Sequence, residues 1–196
     1  LAGAASIGYM PAATGAVATT VQAKLRESLS VKDFGAVGNG VTNDTAAIQA
    51  ALNHASANNL SLHFPAGTYI ASGLTYIATY LAHLTISGEG SGNTTLQAPS
   101  GTTSPVFTLG VGGNALGPNQ ILCQGLTFRG NYPASYQAVA TSYTQHAFLV
   151  DTSNHILFDD CRFYNGVSGL TVRNGVITHL HRCGAWYNEI GFYVAT

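Results

Sequence analysis

The chain has 196 residues, of which 46% are apolar, only 8% are Asp, Glu, Lys or Arg, and 23 are glycine. This composition excludes a disordered, solvated segment, and a formal net charge of −1 without a run of basic residues argues against a nucleic acid partner. No stretch approaches the roughly 20 apolar residues that span a bilayer, so we expect no membrane insertion.

The first thirty residues are rich in Ala, Thr and Gly, and they contain one apolar stripe at every fourth position: Val17, Val21, Leu25 and Leu29. This spacing predicts a short helix. A stripe of this length is too short to be stable alone in water, so the helix has to pack on its own domain or on copies of itself. We therefore interpret residues 1–30 as a segment distinct from the body, residues 31–196. Because the chain stops within a strand pattern, we expect it to be the amino-terminal part of a longer protein.

A second helix is predicted after the glycine-rich turn at residues 35–40. Residues 42–44 offer capping side chains, and Ile48, Leu52 and Ala55 lie on one face of the helix. A small helix with one apolar face, placed before a run of short strands, is suited to cover the open end of a stack of strands. We therefore predict a capping helix.

Short strands separated by Gly, Pro, Asn and Ser turns follow this helix, and they contain a repeat. The segments that begin at Ala147, Gly169 and Gly191 are 22 residues apart, as are Cys161 and Cys183. Such a period is typical of a parallel β-helix, in which each coil hydrogen-bonds to the next. We predict an all-β fold, a right-handed single-stranded parallel β-helix with an N-terminal capping helix and a short helical neck. The alternative, a β-sandwich, predicts turn-separated strands without equal-length copies in register.

An earlier copy of the repeat carries an insertion. The segment that begins at Ile121 aligns with the one that begins at Ile156 at an offset of 35 residues, which equals 22 plus 13. The inserted residues lie near 131–143, and their tyrosines and proline predict a long aromatic loop that protrudes from one coil.

Four sequence landmarks resemble proteins of one superfamily. Residues 31–52, VKDFGAVGNGVTNDTAAIQAAL, are similar to the opening of pectate-lyase-like β-helix proteins. Residues 63–69, HFPAGTY, and residues 87–90, SGEG, resemble the next two landmarks of that superfamily. Upstream, residues 15–25 resemble the neck that joins a virion-binding head to the β-helix in bacteriophage tailspikes. This likeness implies that residues 1–30 are a neck or linker that follows such a head. The resemblance implies a homotrimer in the virion tail, outside the bacterial cell, that recognises bacterial surface polysaccharide and degrades it.

The resemblance leaves the chemistry open, because phage β-helices of this type include glycoside hydrolases, polysaccharide lyases and inert fibre segments. We expect a tailspike-like protein for host surface recognition, with a structural tail component and a secreted polysaccharide lyase as alternatives. Its expected partners are bacterial surface polysaccharide and other virion tail proteins, and no cofactor is implied. The active site of the complete protein could lie beyond Thr196.

Glycosidic cleavage usually needs two carboxyl groups about 5–9.5 Å apart. Asp159 and Asp160 are the first candidates, and a β-bulge at this point would turn both outward. The 22-residue offset then places His181 beside Asp159 and Arg182 beside Asp160, either as salt bridges between coils or as part of a catalytic and binding site. Glu189 is a third candidate carboxylate, or else a solvated corner residue.

Other side chains are candidates for ligand binding. Tyr164 and Trp186 are 22 residues apart and would stack in one outward column, where they would bind a sugar ring or pack against a neighbouring subunit. A lyase would need a base and a cation near a uronate, for which Arg173, Arg182, His179 and His181 are available. We predict no metal site. The two histidines on one strand have no evident third ligand, and the three cysteines lack CxxC spacing.

Overall fold

The computed structural model describes residues 3, 6–25, 29–78, 83–111, 120–131, 146–188 and 190–195. These residues contain two α-helices, α1 (Val21–Leu25) and α2 (Thr45–Asn58), and a 3₁₀ helix at Val31–Phe34. None of the helices in this part of the chain has the length and apolar character needed to cross a membrane. The strands are, in chain order, β1 (Gly8–Tyr9), β2 (Thr19–Thr20), β3 (Leu29–Ser30), β4 (Asn39–Asn43), β5 (Leu62–Phe64), β6 (Gly67–Ile70), β7 (Leu74–Ala78), β8 (His83–Gly88), β9 (Thr94–Gln97), β10 (Phe107–Val111), β11 (Gln120–Gln124), β12 (Thr127–Arg129), β13 (His146–Asp159), β14 (Arg162–Tyr164), β15 (Ser168–His181), β16 (Gly184–Trp186) and β17 (Ile190–Ala195).

Apart from the antiparallel pair β1 and β2, these strands stack in parallel as a β-helix with three faces. Face 1 consists of β7, β10, the first halves of β13 and β15, and β17. Face 2 consists of β3, β5, β8, β11 and the second halves of β13 and β15. Face 3 consists of β4, β6, β9, β12, β14 and β16. The predicted parallel β-helix is therefore confirmed.

The pairing register follows the sequence repeat. Phe148 pairs with Leu170 and Leu170 pairs with Phe192, so each of these steps from coil to coil spans 22 residues. Ile121 pairs with Ile156, which is the offset of 35 residues expected from the insertion. The predicted aromatic loop falls largely on residues 132–145, which lie outside the described residues.

The interior is filled by stacked apolar side chains. Phe148 is fully buried, and its ring stacks on Phe107 with centroids 5.1 Å apart. Phe128 and Phe158 meet the same ring edge to face, at 4.8 and 5.1 Å. Because successive residues of a strand point to opposite sides, the residues between these core positions form columns on the outer surface.

Helix α2 packs against β3, β5 and β7, the first strands of faces 1 and 2, as expected for a capping helix. Its buried residues are Ile48, Ala51, Leu52 and Ala55. The side chain of Asp44 does not cap the helix, because it accepts hydrogen bonds from the backbone amides of Val37 and Gly38 at 2.7 and 3.0 Å. The carboxylate therefore fixes the glycine-rich turn that precedes the helix. Asn43 provides the local side-chain bond instead, and accepts one from the amide of Thr45 at 3.0 Å.

The first helix is shorter than its apolar stripe predicted. Helix α1 contains Val21 and Leu25, but Val17 lies before it and is 80% exposed. Leu29 lies in β3, where it pairs with Leu62 of the β-helix. Joining the sheet gives this residue backbone hydrogen bonds and apolar contacts, which outweigh the weak tendency of a short stripe to continue a helix.

Candidate functional site

Five side chains of face 2 form one column on the outer surface. Strand pairing connects them in the order His63, Ser87, Gln124, Asp159 and His181. Neighbours in such a column are one strand spacing apart, about 4.8 Å. We call this set the polar column. It contains one residue that the sequence suggested for catalysis, Asp159, and one suggested for binding, His181.

Asp159 is held by two side chains of the next coil. Its Oδ1 accepts a hydrogen bond from Arg182 Nε at 3.0 Å and lies 2.8 Å from His181 Nδ1, and its Oδ2 accepts one from Arg182 Nη2 at 2.7 Å. The guanidinium of Arg182, and next the imidazole of His181, lower the pKa of Asp159 to about 2. A carboxylate that stays ionised and has both oxygens engaged is a poor proton donor or base at neutral pH.

Arg182 binds Asp159 and not Asp160, contrary to the pairing inferred from the repeat. Strands β13 and β15 end at Asp159 and His181, and the next residues form corners in the left-handed backbone region, with φ of 50° at Asp160 and 53° at Arg182. The predicted β-bulge is thus a corner between β13 and β14. Residues at a corner leave the strand alternation, so the register does not decide where their side chains point.

Asp160 connects its own coil to Ser91, which lies in an earlier coil. Its Oδ1 accepts a hydrogen bond from Ser91 Oγ at 2.8 Å, and its Oδ2 accepts one from the backbone amide of Ser91 at 3.1 Å. Ser91 is buried, and its carbonyl accepts a hydrogen bond from the hydroxyl of Thr127 on the coil between them. Asp159 and Asp160 therefore bind different neighbours. Glu189, the third candidate carboxylate, lies outside the described residues.

Face 3 carries a second set of outward side chains. Strand pairing places Gln97, Arg129, Tyr164 and Trp186 in register on adjacent strands, and we call this set the aromatic column. The rings of Tyr164 and Trp186 stack with centroids 5.2 Å apart and planes 19° from parallel. The ring of Tyr187, which is 77% exposed, lies 6.3 Å from that of Tyr164. The stacking expected from the 22-residue spacing is present.

Two arginines lie against these rings. Arg129 Cζ is 5.6 Å from the centre of the Tyr164 ring, and Arg162 Cζ is 6.0 Å from the centre of a ring of Trp186. Neither guanidinium forms an ion pair within the described part of the chain. Both are therefore available to an anionic or hydroxyl-rich ligand. The sequence reasoning missed Arg129, although the offset of 35 residues aligns it with Tyr164.

An open groove with a volume of about 840 Å³ runs along face 2. Leu122, Leu157 and His179 follow one another in register along it, and the rings of His155 and His179 stack with centroids 6.3 Å apart. His181 also lines the groove. The described residues contain no group of three or more His, Cys, Asp or Glu side chains placed to hold a metal ion.

Comparisons with known sequences agree with this fold. Residues 28–110 match the family described as rhamnogalacturonase A/epimerase, pectate lyase-like. The chain is 42% identical to mannuronan C5-epimerase AlgE1 of Azotobacter vinelandii over 82 residues, which are 39% of this chain and 6% of that protein. It is 27% identical to plasmin and fibronectin-binding protein A of Streptococcus pneumoniae over 186 residues, covering 76% of this chain and 26% of that protein. The chain therefore spans only a small part of these relatives.

Solved structures share the same architecture. Tailspike protein 3 of bacteriophage CBA120 matches with a TM-score of 0.64 and 21% identity, over 92% of this chain and 28% of that one. The A-module of mannuronan C-5 epimerase AlgE4 from Azotobacter vinelandii matches with a TM-score of 0.59 and 20% identity, over 86% of this chain and 54% of that one. Likeness at these identities concerns the fold. The chain therefore has the parallel β-helix fold of these proteins, and its residues 28–110 match a pectate-lyase-like family.

Proposed function

We propose that this chain binds a polysaccharide on the outside of its β-helix, as part of a tailspike-like protein that recognises a bacterial surface. The aromatic column carries this proposal. Tyr164 and Trp186 offer two nearly parallel rings, and Trp186 is 45% exposed. Rings of this kind combine exposed apolar carbons with a polar edge, which suits the C–H groups of a pyranose flanked by hydroxyl groups.

The arginines beside the rings add polar recognition. Each guanidinium offers five N–H donors in a planar fork, which fits carboxylates and paired hydroxyl groups. Arg129 and Arg162 lie on two different strands of face 3, against two different rings. The surface therefore combines stacking with hydrogen bonding along the axis of the β-helix, which is a direction in which a glycan chain can extend.

The state of the carboxylates favours binding over glycosidic hydrolysis by Asp159 and Asp160. Hydrolysis needs one group that gives a proton and one that takes it or attacks the sugar. The bonds from Arg182 and His181 keep Asp159 ionised, and Ser91 occupies both oxygens of Asp160. Hydrolysis by this pair would require both sets of hydrogen bonds to break.

The named relatives support a polysaccharide as the ligand, since the proteins that share this fold include mannuronan epimerases and a phage tailspike. We extend the proposal to the whole protein as a homotrimer of the virion tail, with residues 1–30 as the neck. A structural tail component would bind no glycan, and a secreted lyase would release products with a new double bond.

The single tryptophan of the chain, Trp186, gives a direct measurement. Titration of the chain with a panel of acidic and neutral bacterial polysaccharides should change its intrinsic fluorescence. We expect Tyr164→Ala and Trp186→Ala to lower affinity at least about tenfold, which corresponds to about 1.4 kcal/mol. Because Trp186→Ala removes the fluorophore, the affinity of that variant is measured by calorimetry.

The matched control is Tyr9→Ala, which removes a partly exposed ring on β1, outside the β-helix. It should bind as the unchanged chain does. Equal affinity in Trp186→Ala, or no binding to any member of a broad panel, would refute the proposed site. Sedimentation at micromolar concentration tests the trimer separately, and a monomer would contradict that part of the proposal.

A further inference from the structure

Three side chains of face 2 form a hydrogen-bonded series that the proposed polysaccharide site does not use. His63 Nδ1 lies 3.1 Å from Ser87 Oγ, and His63 Nε2 lies 3.0 Å from Glu89 Oε1. His63 and Ser87 pair in register on β5 and β8, and Glu89 follows directly after β8. The imidazole therefore lies between a hydroxyl group and a carboxylate.

The carboxylate decides which nitrogen of the neutral imidazole carries the proton. A carboxylate only accepts hydrogen bonds, so Nε2 holds the hydrogen and donates it to Glu89. Nδ1 then presents its lone pair, and the hydroxyl of Ser87 donates to it. A serine, a histidine base and a carboxylate that orients the base are the three parts of an activated serine nucleophile. The two nitrogens are exchanged relative to chymotrypsin-type triads, but their roles follow from their partners.

The serine is accessible, and a further donor lies beside it. Ser87 is half-buried, and the side chains of His63 and Glu89 are 35% and 55% exposed. Gln124 is the next member of the polar column after Ser87, and its side chain forms no hydrogen bond within the described part of the chain. The backbones of Gln124 and Ser87 pair in register, about one strand spacing apart, so the side-chain amide of Gln124 is within reach of the oxyanion of a tetrahedral intermediate.

We propose that Ser87, His63 and Glu89 form a hydrolytic site for carboxylic esters, such as an acetyl ester on a sugar hydroxyl, with Gln124 as the oxyanion donor. Ser87 Oγ bonds to the acyl carbon while its proton passes to His63 Nδ1. The bond from that carbon to the alcohol oxygen then breaks, and the alcohol leaves with the proton. Water next gives a proton to His63 and bonds through its oxygen to the acyl carbon, and the carboxylic acid leaves as Ser87 regains its proton.

This activity goes beyond the proposed polysaccharide binding and does not depend on it. A purely structural bridge between coils would show the same hydrogen bonds with an unreactive serine. Reactivity toward a fluorophosphonate separates the two cases, because such probes modify serines whose hydroxyl is activated by a base.

The full chain is treated with a fluorophosphonate probe, digested, and analysed by mass spectrometry, and hydrolysis of p-nitrophenyl acetate is followed in parallel. We expect the label on Ser87. Ser87→Ala should abolish both signals, and His63→Ala should lower the labelling rate by about 100-fold, the contribution typical of a positioned base. Glu89→Gln should lower it at least tenfold and change its pH profile, because an amide no longer fixes the imidazole tautomer.

Ser104→Ala is the matched control, since Ser104 is an exposed serine between β9 and β10, and it should leave labelling of Ser87 unchanged. The variants change surface side chains, and circular dichroism and thermal melting verify that each is folded. Absence of label on Ser87 in the folded chain would overturn the proposal, as would labelling that persists at full rate in His63→Ala. Labelling of Ser87 and polysaccharide binding are measured independently on the unchanged chain, so this proposal and the polysaccharide proposal fail separately.

Discussion

The carboxylate of Asp160 and the hydroxyl of Ser91 meet at 2.8 Å across a corner of the β-helix, although 69 residues separate them in sequence. The backbone amide of Ser91 donates to the same carboxylate at 3.1 Å. Ser91 is only 4% exposed, so without Asp160 two buried donors would lose their acceptor. Asp160 therefore stabilises the fold by accepting these two hydrogen bonds, at a position where the sequence suggested catalysis.

Replacing Asp160 should therefore destabilise the fold. We expect Asp160→Ala to lower the free energy of unfolding by about 1–3 kcal/mol, the usual result of leaving a buried donor unsatisfied. Urea denaturation measures this change. The control is Asp151→Ala, which removes an exposed ion pair with Arg173 at 3.2 Å and should change stability by only about 0–1 kcal/mol. If both variants lost the same free energy of unfolding, Asp160 would have no special role in stabilising the fold.

The ion pairs of Asp159 predict a pH dependence with a definite sign. The folded pKa, lowered to about 2 first by Arg182 and then by His181, lies below the value of about 3.9 in an unfolded chain. The stabilisation is therefore complete above about pH 4 and is lost as the pH falls toward 2. Melting temperatures of the chain and of Asp159→Asn should differ most above pH 4 and converge near pH 2.

Arg182→Gln is the matched variant for this experiment, because it removes the largest cause of the lowered pKa and leaves the carboxylate. It should reduce the difference between melting at pH 5 and at pH 2 in the same direction as Asp159→Asn. If the difference in melting temperature between the chain and Asp159→Asn stayed constant over this pH range, ionisation of Asp159 would not stabilise the fold.

The sequence was sufficient for the columns of the β-helix because parallel coils of equal length place residues at a fixed offset side by side. Tyr164 and Trp186 were predicted to stack on this basis, and the same offset brought Asp159 to His181. This reasoning depends only on strand residues, whose side chains alternate strictly between the core and the surface. It holds on face 3 and on the second half of β13.

The side-chain contacts at the corners and in the early coils could not be predicted from the 22-residue repeat. Asp160 and Arg182 have positive φ, and their side chains therefore bind neighbours that no register predicts. Coil length also varies near the start of the chain, where His63 and Ser87 are 24 residues apart. The 22-residue repeat therefore did not predict that His63, Ser87 and Glu89 would lie together.

The buried histidine His146 should make the fold sensitive to mild acid. Burial first, and the charge of Arg173 second, lower its pKa to about 4, and its Nδ1 lies 2.9 Å from Thr171 Oγ1. Between pH 6.5 and 4 the unfolded chain binds a proton that the folded chain does not, so stability falls as the pH decreases through this range. At about 1.4 kcal/mol per pKa unit, the loss is at most about 3.5 kcal/mol.

Urea denaturation at pH 7 and at pH 4.5 measures this loss. His146→Gln should flatten the dependence, whereas Thr171→Val, which removes the hydrogen-bond partner but keeps the histidine, should retain it. A steep dependence that persists in His146→Gln would assign the acid sensitivity to other groups.

Gly184 is predicted to control the position of Trp186. The indole lies over this glycine, and a Cβ added there would be 2.0 Å from Trp186 Cη2 and 2.4 Å from Cζ3. Even Gly184→Ala should therefore displace the indole from its stack on Tyr164, without removing any aromatic group. We expect this variant to lose polysaccharide affinity nearly as much as Trp186→Ala does, at least about tenfold.

Fluorescence and calorimetry measure the two effects of Gly184→Ala on the same sample. The emission of Trp186, the only tryptophan, should move to longer wavelength as the displaced indole becomes more exposed to water. Gly92→Ala is the control, because no atom lies within 4 Å of a Cβ at that position, and it should change neither signal. If Gly184→Ala shifts the emission but binds polysaccharide with unchanged affinity, the stacked rings are not the binding surface. The groove beside the polar column, on face 2, is then the surface to test next.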